Sequence, residues 1–232
     1  MMASAAAVAG SRAESPVPDE ITEVLRVVED PEGSVNVRSG PSLKSAVSRK
    51  LASGSPVILA EPNDGGEWKK LEGAADEKHP EYIHSSRLVG VGKWKAAQTK
   101  AEDDAAVAKV ELDGYEVKVE SVPFQKEKHR LTKDGDGMAL VDGVSPWGVD
   151  GGLPTRSMKL TLSIDGKPLA LPAAATADLY QPNSGSLMLL TPRNAGELAV
   201  VLMMNSDGAG AYCVAWSFSK GRYVGREVFV PY

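Results

Sequence analysis

Apolar and polar residues alternate with a period of two through much of the chain, the pattern of half-buried β-strands. Met158-Lys159-Leu160-Thr161-Leu162-Ser163-Ile164 alternates almost without error. Asp165-Gly166 follows, and then Lys167-Pro168-Leu169-Ala170-Leu171. An Asp-Gly pair between two such runs predicts a hairpin, because a type I′ turn needs positive φ at both central residues. Val110 and Leu112, then Tyr115, Val117 and Val119, alternate with charged residues in the same way. Leu198–Met204 is a continuous apolar run, suited to a central strand. In the next strand Tyr212, Val214, Trp216 and Phe218 share one face, and Cys213, Ala215 and Ser217 share the other. Lys220-Gly221 then turns the chain into Tyr223–Val230.

The N-terminal third is also β-rich. Ile21–Val28 reads as a strand, and short β pieces continue to Val89. Residues 91–107 carry helix formers with little apolar periodicity. They predict a polar linker or a short exposed helix, with Trp94 placed to dock it onto a neighbour. Glu14–Glu20, with Pro16 and Pro18 among acids, reads as a further linker. The expected fold class is all-β: a small β domain over 21–90, the linker over 91–107, and a larger antiparallel β-sandwich or barrel over 108–232.

Residues 1–20 read as a weak or truncated secretory signal or a disordered leader. Ala3–Gly10 is small and weakly apolar, and Ala7-Val8-Ala9 and Ser11-Arg12-Ala13 look like small-residue cleavage sites. No Lys or Arg precedes Arg12, so the basic n-region is missing. The expectation is a periplasmic or extracellular protein, with the cytoplasm as the alternative.

Composition narrows the function classes. Of 232 residues, 42% are hydrophobic and 25% charged, which is ordinary for a globular chain. No apolar run approaches the roughly 18–20 residues of a membrane span. The formal net charge is −5, from 26 basic and 31 acidic residues, and gives no reason to expect nucleic acid. Most of the excess lies in residues 1–30, with two basic and six acidic side chains. The single cysteine, Cys213, excludes an intramolecular disulfide and a multi-cysteine zinc site.

One segment carries a family resemblance. Val35-Asn36-Val37-Arg38-Ser39-Gly40-Pro41-Ser42 resembles the opening of the bacterial SH3 domain family (SH3b). Leu51 and Gly54, Pro56–Leu59, Trp68–Leu71 and Tyr82–Leu88 resemble its later strands in order. The match covers roughly Val24–Val89. It implies a small SH3-like barrel, with Val35 and Val37 inward and Trp68 filling the core. It also implies an envelope setting and a cell-wall peptide or protein partner. Glu81 stands where the family has Gly, and Arg87 stands near a position often aromatic. Glu81, Tyr82 and Arg87 are therefore candidate ligand contacts.

Chemical motifs are sparse. The three histidines all precede Cys213, unlike the Cys-then-His order of the cell-wall peptidases that often carry such domains. Neither G-x-S-x-G, H-E-x-x-H nor a P-loop occurs. Lys133–Gly137 and Asn205–Gly208 resemble fragments of calcium loops. The closing carboxylate position falls on Gly143 and Val214, so both read as turns. No metal and no cofactor is expected. The long loop Val144–Arg156 carries Trp147, Asp150 and Arg156, the second set of candidate ligand contacts. Trp147 either grips a sugar or peptide or folds back onto the end of the domain.

These readings point to a non-catalytic, envelope-associated binding protein. One alternative is a hydrolase of cell-wall or glycan substrates, with Asp150, Asp178 and Arg156 near Trp147. The other is a structural partner in a larger assembly, joined through strand edges.

Overall fold

The computed structural model describes residues 16–73, 78–194 and 197–230. The expected signal or leader over residues 1–15 lies outside them. The chain is mostly β, with several antiparallel sheets and one short helix, and no closed barrel forms among the described residues. None of the described helices is long and apolar enough to cross a membrane.

Two sheets face each other across the larger core. The central sheet has five strands in the order Arg222–Phe229, Tyr212–Ser219, Leu198–Asn205, Met188–Thr191 and Lys95–Gln98. The outer sheet has four, in the order Lys167–Leu169, Arg156–Ile164, Tyr115–Pro123 and Val107–Leu112. Val117, Val119 and Leu162 of the outer sheet meet Val201, Val214 and Trp216 of the central one. The predicted hairpin forms: Asp165 and Gly166 have φ of 48° and 74°, and Ile164 pairs with Lys167.

The N-terminal third forms two smaller sheets. One is ordered Pro56–Ile58, Leu25–Val28, Leu88–Gly90, and the other Val47–Ala52, Ser34–Arg38, Tyr82–His84, Trp68–Lys70. Val35, Val37, Val57, Leu59 and Ile83 fill the core between them. Trp68 does not. It is half-buried and stands edge-on to His84, with ring centroids 5.2 Å apart. Aliphatic side chains already occupy the space it was expected to fill.

Two other expectations are corrected. Ile21–Val28 is not one strand, because Asp19–Val24 is helical and only Leu25–Val28 is extended. Ile21 and Val24 sit at i and i+3, so one helical face buries both, and Leu25 is buried as the first residue of the strand. Asp19 and Glu20 in the first turn complement the helix dipole. The 91–107 segment is neither helix nor free linker. Val91 and Trp94 are buried, and Lys95–Gln98 is the edge strand of the central sheet, paired with Met188–Thr191.

These corrections share one cause. The far face of the central sheet, with Leu190, Leu202, Cys213 and Ala215, packs on Val17, Ile21, Leu25 and Trp94. The central sheet is therefore buried on both faces, which is why Leu198–Met204 is apolar throughout rather than alternating.

Candidate functional site

Two adjoining hollows form a polar groove at the loop end of the facing sheets. The larger encloses about 650 Å3 and the smaller about 240 Å3. Gln181, Ser206 and Asp207 line both. Asp103, Asp104 and Arg156 border the larger hollow, and Asp150 and Leu153 the smaller.

The floor is built from strained backbone. Gln181 and Ser206 are non-glycine residues at left-handed φ, 52° and 59°. Such conformations cost of order 1 kcal/mol or more and persist only where the surroundings impose them. Here the surroundings are hydrogen bonds. The Ser206 N–H donates to the Gln181 carbonyl at 3.2 Å, and its hydroxyl to the Gly148 carbonyl at 3.0 Å. Gln181 Oε1 accepts from the Arg156 N–H at 2.8 Å and from the Thr155 hydroxyl at 3.1 Å. These bonds tie the Trp147 loop to the end of the central sheet.

Beside the floor lies an unsatisfied amide pair. Asn205 is 1% exposed, and its Oδ1 accepts from the Asn183 N–H at 3.1 Å. Asn205 Nδ2 and Asn183 Oδ1 are buried without a hydrogen-bond partner. Such orphans are uncommon in native interiors.

Arg156 is positioned rather than neutralised. Its Nε donates to Ser121 Oγ at 2.9 Å and its Nη2 to the Ser121 carbonyl at 2.6 Å. No carboxylate pairs with it among the described residues. Asp103, Asp104 and Asp150 are exposed.

Trp147 folds back. It is half-buried, its ring lies 6.0 Å from Tyr212, and its backbone N–H donates to the Asp178 carbonyl at 2.8 Å. It borders neither hollow. The Asp178 carboxylate is turned to the Arg226 guanidinium, which also donates to the Ala175 carbonyl. Asp178, Asp150 and Arg156 thus face three different surroundings.

The loop depends on Gly148, at φ 92°. A Cβ there would stand 2.4 Å from the Tyr180 carbonyl oxygen, which already accepts the Tyr212 hydroxyl at 2.8 Å. Gly148→Ala is expected to cost about 2–4 kcal/mol, read as a lower urea midpoint at unchanged m. A loss below about 0.5 kcal/mol would contradict the packing described.

In the N-terminal third, Glu81 and Arg87 engage partners within the fold. Glu81 accepts from Ser48 Oγ and Arg49 Nε, each at 2.8 Å. Burial opposes its ionisation, but these bonds and the Arg49 charge outweigh burial and leave its pKa below the usual range. Arg87 pairs with the buried Asp30 at 2.6 Å. Tyr82 is half-buried between Arg38 and Lys70 on the neighbouring strands.

Cys213 is wholly buried, and burial pushes its thiol up to about 12. That thiol cannot serve as a nucleophile near neutral pH. The two calcium-like stretches are turns, as read. Asp134 Oδ1 caps its own loop, accepting from Asp136 and Met138. Ser206 and Asp207 of the second stretch line the groove, and Asn205 is buried beside it. Among the described residues no three His, Cys, Asp or Glu side chains gather to hold a metal ion.

Sequence reasoning named Arg156 and Asp150 but missed Gln181, Asn183 and Ser206. For Gln181 and Ser206 the signal is a left-handed backbone at non-glycine positions, which residue identity does not announce. No family model, curated protein or solved structure matches this chain.

Proposed function

We propose that the protein is a non-catalytic binding protein of the cell envelope, and that the groove takes a polar ligand bearing both amino and acyl groups, such as a cell-wall peptide. The observation that carries this is the Arg156 guanidinium, free of any carboxylate, facing a rim of Asp103, Asp104 and Asp207. A guanidinium recognises a carboxylate, carboxylates recognise an ammonium, and amides satisfy a peptide backbone.

The resemblance of residues 24–89 to bacterial SH3 domains supports the setting. Ser34–Arg38 is extended where the family motif predicts a strand, with Val35 and Val37 inward. In this reading that SH3b-like unit acts mainly as a docking element, since Glu81 and Arg87 already serve internal ion pairs. The larger unit, a β-sandwich in this reading, carries the recognition groove.

The test is co-sedimentation of the full chain with purified peptidoglycan. Saturable pelleting is expected, and the exposed pair D103N/D104N should weaken it about tenfold, equivalent to ~1.4 kcal/mol. No pelleting of the unmodified chain, or equal pelleting of the variant, would refute the reading.

A further inference from the structure

A second cleft, of about 540 Å3, opens beside the strands Tyr115–Pro123 and Arg156–Ile164. Its accessible apolar lining is Val122, Pro123 and Ala177, and its rim carries Lys128, His129 and Lys159. No carboxylate lines it. We propose that this cleft binds a small organic anion with an apolar body, its negative head held by Lys128, His129 and Lys159 and its body by Val122, Pro123 and Ala177.

The His129 ring is fixed on two sides. Nδ1 lies 2.7 Å from Asp142 Oδ2, so Nε2 is the ring nitrogen left for a ligand. The ring face stacks on Phe124, with centroids 4.9 Å apart and planes 19° from parallel. Phe124 in turn stands edge-on to Tyr180 at 5.6 Å.

Asp142 is fixed as well. Its backbone is left-handed, at φ 55°, and its Oδ1 accepts from the Arg130 N–H at 2.8 Å. Bonds from His129 and Arg130 hold its carboxyl below the usual range, so it stays ionised behind the ring. A carboxylate behind an imidazole sets ring orientation much as it does in metal and catalytic sites.

The two lysines supply the remaining charge. Both are exposed, and neither has an ion-pair partner among the described residues. Glu120 stands opposite Lys159 on the neighbouring strand, and its carboxylate is engaged by Lys118. A volume of this size suits a small molecule, and an apolar floor with few convergent polar groups is the usual make-up of such sites. A bare inorganic anion would leave the floor unfilled, and a neutral hydrocarbon would leave the rim charges unused.

The test uses the full chain and phenylacetate as probe, with acetate and benzyl alcohol as head-only and body-only controls. Phenylacetate is expected to shift the His129 ring resonances saturably at concentrations up to about 10 mM while leaving those of His84 in place. The signals are assigned with H129Q. The double variant K128Q/K159Q should weaken binding about tenfold, and D103N/D104N should leave it unchanged. Both pairs are exposed, so folding is not at stake. An unmoved His129 signal, equal affinity in K128Q/K159Q, or an acetate response as large as that to phenylacetate would overturn the proposal. Loss of binding in D103N/D104N would also overturn it, by placing the probe in the groove.

Discussion

Residues 99–232, expressed without the segment before them, are expected to aggregate rather than fold as a soluble monomer. The far face of the central sheet would then be bare. Met188, Leu190, Val200, Leu202, Cys213 and Ala215 are each no more than 1% exposed in the full chain. Val17, Ile21, Leu25, Val91 and Trp94 are among the side chains that cover them. Burial of a large aliphatic side chain contributes about 1.5–3 kcal/mol, so uncovering this face forfeits of order 10 kcal/mol. That equals the whole stability of a typical domain. The truncation also removes Lys95–Gln98, leaving Met188–Thr191 as an unpaired apolar edge, a template for aggregation. Size-exclusion chromatography and near-UV circular dichroism of the fragment decide the matter. A monodisperse, cooperatively melting monomer would show that the second core is dispensable.

The second large effect is electrostatic. Glu227 lies on the strand Arg222–Phe229, opposite Ala215, and is mostly buried. Burial is the main cause that pushes its carboxyl up to about 7; Arg49 and Arg226 pull it back, and Glu81 adds to the rise. The folded protein therefore holds this proton to higher pH than the unfolded chain does. Its penalty is absent below the unfolded value near 4.5, grows between there and about 7, and is constant above. Over that window the wild type should lose up to about 3 kcal/mol from this group. Glu227→Gln removes the charge that burial opposes. Its melting temperature should match the wild type near pH 4 and exceed it by roughly 5–10 °C at pH 8. Calorimetry across that range provides the check, and parallel curves for the two proteins would mean that Glu227 ionises without cost.

Where a residue's neighbours in sequence determine its neighbours in space, the fold was legible. Asp165-Gly166 has only one way to join two alternating runs, and it takes it. The face assignment of Tyr212 through Phe218 follows from strand period alone and holds, with the even-numbered side chains in one core and Cys213 and Ala215 in another. The misread segments depend on distant partners. Lys95–Gln98 has small side chains and no pattern of its own, and becomes a strand because Met188–Thr191 offers an edge. Ile21–Val24 fits either a helix or a strand over so short a span, and the apolar face of the central sheet selects the helix.

The groove was half legible for the same reason. Arg156 stood out as a lone cation in a glycine-rich loop. Gln181 and Ser206 gave no sign, because a left-handed backbone at such residues is imposed by long-range hydrogen bonds. The His129–Asp142 pair spans a hairpin, Leu131–Lys133 with Ala139–Val141, that brings residues thirteen apart in sequence into contact.

The helix Asp19–Val24 and the buried Val17 just before it set a boundary for processing of the chain. A peptidase that trimmed residues ahead of Pro16 would leave every core side chain described above in place. One that cut after Ile21 would strip two side chains from the cover of the central sheet and break its only helix among the described residues. Any trimming that keeps the fold intact therefore has a hard stop at Val17, written into the packing rather than into any recognition sequence.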